Sequence, residues 1–106
     1  MGKYLIQGHY TEKGLEGLYK EGGTKRKEAV AKAVTGLGGT LETFYYAFGE
    51  NDIVAIVDLP DEVSATAFSL VVNTAGTAKI KTTVLTTPEA MDKAVKKDIN
   101  YRPPGH

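Results

Sequence analysis

The side chains suited to chemistry are few in this chain, and most of them fall on predicted strands. His9 stands inside a predicted element, whereas His106 ends a Pro-Gly tail. An imidazole titrates near neutrality and can give or take a proton. His9 shares strand parity with Gln7, so the two point to one face. Tyr45 and Tyr46 are adjacent in a second predicted strand, so one phenol lies on that same face and the other opposite. Asp52 opens the next strand, within reach of serving as a carboxylate base for His9. Gln7, His9, Tyr45, Tyr46 and Asp52 are therefore the candidate ligand-binding set. Each also has a plainer role: a hydrogen-bonded imidazole at an interface, tyrosines in the core or an interface, and an Asn-Asp pair that caps a turn.

Other chemistries find less support. Gly22-Gly23-Thr24-Lys25-Arg26-Lys27 joins glycines, a helix start and three cations, an arrangement able to hold an anion or simply a solvated helix end. The spacing is not that of a P-loop. Two histidines and scattered carboxylates show no metal-ligand spacing, and there is no Cys, so neither a disulfide nor a thiolate-bound metal is expected. No serine-nucleophile motif is present. The sequence points to no cofactor.

The elements that carry these residues can be read from periodicity. Lys3–Tyr10 alternates as a strand, with Tyr4, Ile6, Gly8 and Tyr10 on one face and Lys3, Leu5, Gln7 and His9 on the other. Gly8 suggests close approach of a crossing helix. Thr11 caps a short helix over Glu12–Lys20. Thr24 caps a second over Lys25–Gly36, with Ala29, Val30, Ala33, Val34 and Leu37 as its apolar stripe. Thr40–Phe48 and Asp52–Leu59 are strands. Asp61 caps a helix with Val63, Ala67, Leu70, Val71 and Thr74 turned inward. Ala78–Leu85 is an edge strand bearing Lys79 and Lys81. Thr87-Pro88-Glu89 starts a last helix that runs to about Asp98, with Met91, Ala94, Val95 and Ile99 inward. Arg102 sits in an extended tail that can reach a second subunit or fray.

This order, β-α-β-β-α-β plus a C-terminal helix, predicts one α+β domain over residues 1–106, with a ferredoxin-like antiparallel sheet. Ile53-Val54-Ala55-Ile56-Val57 is apolar at both parities. A strand of that kind is covered on both faces, yet the helices cover one. A second copy is the simplest cover, which gives a homodimer or higher oligomer of the α+β-barrel type with a cavity between sheets. Lys plus Arg and Asp plus Glu are 13 each. A neutral chain has no field to draw phosphate backbones, so nucleic acid is not an expected partner. No apolar run reaches the length of a membrane span, the N-terminal residues lack a signal-peptide core, and residue 6 is Ile where a myristoylation motif needs Ser or Thr. The expected location is the cytoplasm.

Four segments carry a resemblance: KYLIQGHYT, KEGGTKRKEAVAKAV, LGGTLETFYYAFGENDIVAIVDLPD and YRPPG. Together they resemble the GYD-domain family, named for a Gly-x-Tyr-Asp turn. The corresponding turn here is Gly49-Glu50-Asn51-Asp52, with Asn51 in place of Tyr. The resemblance implies a ferredoxin-like, dimeric α+β-barrel fold and supplies no catalytic residue. Two functional readings remain. One is an oligomeric small-molecule binding protein, with or without catalysis, whose pocket lies beside Gln7, His9 and a Tyr of the second strand. The other is a non-catalytic assembly or regulatory module in which these groups satisfy one another.

Overall fold

The computed structural model describes residues 2–106. Its elements are β1 (Gly2–Tyr10), α1 (Glu12–Glu21), α2 (Gly23–Gly36), β2 (Thr40–Tyr46), β3 (Ile53–Leu59), α3 (Glu62–Thr74), β4 (Ala78–Leu85) and α4 (Pro88–Ala94). The strands form one antiparallel sheet in the order β2-β3-β1-β4. That is the ferredoxin-like arrangement, with β1 and β3 central.

Capping chemistry sets most helix starts. The side chains of Thr11, Asp61 and Thr87 accept from the N–H groups of Gly14, Ser64 and Ala90, which satisfies donors that a helix start leaves free. The Ser64 N–H also holds the Asp61 carboxyl below its ordinary range. α2 departs from expectation. It begins at Gly23, without a side-chain cap, and Thr24 lies inside its first turn. Gly22 ends α1 and begins α2 at φ 84°, a conformation in which a Cβ is costly. The tight joint leaves no room for a separate capping residue.

Even-numbered residues of β1 and odd-numbered residues of β3 face the helices. Tyr4, Ile6, Ala55, Val57 and Leu59 form the main core with Val34 of α2 and with Ala65 and Phe68 of α3. A smaller cluster joins Tyr10, Ile53 and Ala78. Two helix faces differ from the sequence reading. In α2, Val34 is buried and Val30 and Leu37 are half-buried, while Ala29 and Ala33 are exposed. In α3, Val63, Leu70 and Val71 face outward, and Ala65, Phe68 and Val72 face the sheet. α3 is apolar around most of its circumference, so two stripes compete. The larger burial available to Phe68 selects the one observed.

Gly8 does lie on the helix side, but the neighbour that crowds it is β4. A Cβ there would stand 2.3 Å from the Lys79 carbonyl oxygen. In β2, Leu41 pairs with Val57, Thr43 with Ile56 and Phe44 with Ala55, so Glu42 is an extra residue, a β-bulge. The bulge allows both Leu41 and Phe44 to face the helices although they are three residues apart.

α4 ends at Ala94 and buries no residue. Met91, Val95 and Ile99, expected to turn inward, are exposed, as is Tyr101. The chain's radius of gyration is 16.9 Å, against about 13 Å for a compact chain of this length. Residues 87–106 thus form an arm that stands away from the body. None of the helices among the described residues is long and apolar enough to cross a membrane.

Candidate functional site

Lys3, Leu5, Gln7 and His9 of β1 project from the sheet face opposite the helices. Strand pairing places Val54, Ile56 and Asp58 of β3, Tyr45 of β2, and Lys79, Lys81 and Thr83 of β4 beside them. Leu5, Val54 and Ile56 make a half-buried apolar centre. Gln7 is half-buried between Val54 and Lys81, and His9 is exposed beside Lys79. Tyr45 is 67% exposed at the β2 edge.

At the opposite end of this face, Lys3 bonds to Glu42 and lies 3.4 Å from Asp58 Oδ2. The Glu42 and Asp58 carboxylates hold the Lys3 ammonium above its ordinary pKa. Asp58 Oδ1 is buried and has no hydrogen-bond partner among the described residues.

The five residues singled out from sequence divide between two places. Gln7, His9 and Tyr45 share the open face. Tyr46 lies on the helix side, where its hydroxyl donates to the Gly23 carbonyl at 2.9 Å and its ring meets Phe44 edge to face at 5.1 Å. Asp52 serves the backbone. Its Oδ2 accepts from the Tyr10 N–H at 2.9 Å, and its own N–H donates to the Gly8 carbonyl at 2.7 Å. Those bonds fasten the turn to the end of β1, and they replace the local turn cap that the sequence suggested. His9 pairs with no carboxylate among the described residues.

The GYD domain family matches residues 4–95 of the 106-residue chain. The chain belongs to the GYD-domain family. No curated protein and no solved structure matches it. Within this GYD domain the family's named turn, carrying Asn51, is tied to the end of β1 through Asp52. No group of three His, Asp or Glu side chains among the described residues is placed to hold a metal ion.

One feature of this GYD domain has no trace in the linear pattern. α2 packs on β2 and α3 on β4. Between the two helices, above the centre of the sheet, lies an apolar cavity of about 180 Å³. Tyr10 and Arg26 stand among its walls. Burial pushes the Tyr10 phenol up to about 12, so it stays a neutral donor. Arg26 is half-buried on α2, in the segment that the sequence offered either as an anion site or as a solvated helix end.

Proposed function

We propose that this GYD domain acts as a homodimer that binds a small molecule between two open sheet faces, beside Gln7, His9 and Tyr45. The carrying observation is the Leu5–Val54–Ile56 patch, apolar, central and left uncovered by α1, α2 and α3. The unpartnered Asp58 Oδ1 supports the same reading, because buried oxygens in native proteins almost always find a donor. The sheet face alone is small. Four strands of seven to nine residues cover roughly 19 by 23–30 Å, whereas a stable interface buries about 800 Å² per partner. The exposed arm, with Met91, Val95, Ile99 and Tyr101, offers the additional apolar area.

Analytical ultracentrifugation at micromolar concentration tests the dimer, with Ile56→Asp and a chain ending at Thr86 as comparisons. A dimer that both changes weaken is the expected result, and a monomeric parent protein refutes the proposal. A thermal-shift screen against small metabolites, repeated on His9→Gln, tests the pocket. Ligands whose effect disappears in His9→Gln support it. Ligands that act equally on both proteins place binding elsewhere.

A further inference from the structure

The helix-side cavity is separate from the open face, and its walls differ at the two ends. Over the sheet it is apolar, formed by residues such as Ile53, Val57 and Phe68. At the α2 end, Tyr10, Arg26 and Thr77 line both this cavity and an adjoining pocket of about 80 Å³, which also meets Lys13 and Glu21. Arg26 is the one charged residue that lines the larger chamber among the described residues. Its carboxylate neighbour, Glu21, stands 3.8 Å away and is half exposed, too distant for a hydrogen bond. The Tyr10 hydroxyl also lies beside Arg26, and a guanidinium with five N–H groups still keeps donors for another acceptor.

The helix reinforces this polarity. The first turn of α2 contains no acid and carries Lys25 and Arg26, with Lys27 directly after it. Cations at that end oppose the helix dipole, and an anion there relieves the conflict. A chamber of about 180 Å³ is slightly larger than the cavity of about 150 Å³ that holds benzene in another protein. Size, apolar walls and a cationic mouth together select one ligand chemistry.

We propose that the cavity between α2 and α3 binds a small monocarboxylate with one aromatic ring or a chain of about six carbons, its apolar body over the sheet and its carboxylate on Arg26. The planar guanidinium suits a bidentate carboxylate. Tyr10 supplies a second, neutral donor at the same mouth.

Calorimetric titration with benzoate, hexanoate, toluene and benzylamine tests this assignment. Saturable binding of benzoate and hexanoate is expected, with toluene weaker and benzylamine at least tenfold weaker. Arg26→Met keeps most of the stem and removes the charge, so it should weaken benzoate at least tenfold and leave toluene within twofold. Val30→Phe, which places a ring into the chamber, should abolish both. If that variant does not fold, methyl NMR of the parent protein replaces it. Benzoate should then shift Ile53 and Val57 rather than Leu5 and Val54. Absence of benzoate binding at millimolar concentration, undiminished binding by Arg26→Met, or shifts confined to the open face would each overturn the proposal.

Discussion

Two glycines of the same short helix should respond to alanine in opposite directions. Gly14 is buried where α1 passes the start of β4, and a Cβ there would stand 1.9 Å from the Thr77 carbonyl oxygen. Carbon does not approach so closely, and 3.0 Å is the practical limit, so the backbones must part by about 1.1 Å. Two bonds span that junction. The Thr11 N–H donates to the Thr77 carbonyl at 3.0 Å, and the Thr11 hydroxyl to the Gly76 carbonyl at 2.8 Å. Losing both costs about 2 kcal/mol. Crowding adds about 1–3 kcal/mol, and better helix propensity returns about 1 kcal/mol. Gly14→Ala should therefore destabilise by about 2–4 kcal/mol. Gly17 has nothing within 4 Å of its Cβ direction, so Gly17→Ala should stabilise by about 0.5–1 kcal/mol. In a domain of this size the first change lowers Tm by at least about 8 °C and the second raises it by about 2–8 °C. Thermal unfolding followed by circular dichroism reads both. Equal shifts for the two variants would refute the close approach of α1 to β4.

Phe68→Ala should cost about 3–5 kcal/mol in chemical denaturation, whereas Val63→Ala, 72% exposed on the same helix, should stay within about 0.5 kcal/mol; the reverse ranking would restore the stripe read from periodicity. Tyr10 binds its proton more tightly in the folded state, so its contribution to stability is complete below pH 10 and lost as pH rises towards about 12. The difference in stability between the parent protein and Tyr10→Phe should therefore vary across that window and be flat below it. His9→Gln should change Tm little at concentrations where the chain is monomeric, because an exposed side chain has little burial to lose; a loss above 1 kcal/mol would mean that the imidazole is structural. Ile56→Asp, on the open face, should shift sedimentation towards monomer while circular dichroism keeps its helical signal.

Strong local signals carried far. The cap residues Thr11, Asp61 and Thr87 and the limits of β4 are all legible, because each rests on chemistry within a few residues. The dual apolar parity of β3 is matched by buried and half-buried residues in strict alternation. Longer-range competition was not legible. Which stripe of α3 turns inward depends on the sheet beneath it, and the end of α4 depends on the absence of a surface to bury Val95 and Ile99. The open-face trio Gln7, His9 and Tyr45 follows from parity alone. Tyr46 and Asp52 do not join it, since one hydroxyl meets the Gly23 backbone and one carboxylate meets that of Tyr10. The helix-side cavity draws its walls from both sheet and helices, so no window of sequence contains it.

Removing one residue from a strand ordinarily inverts the facing of everything beyond it. At the bulge of β2 the arithmetic is different. Leu41, Thr43 and Phe44 already oppose three consecutive residues of β3, Val57, Ile56 and Ala55, with Glu42 surplus to the ladder. A chain lacking Glu42 would keep every one of those pairings and lose the ion pair with Lys3. The second strand thus contains a point at which evolution or an engineer can shorten this protein by a codon without turning its core inside out.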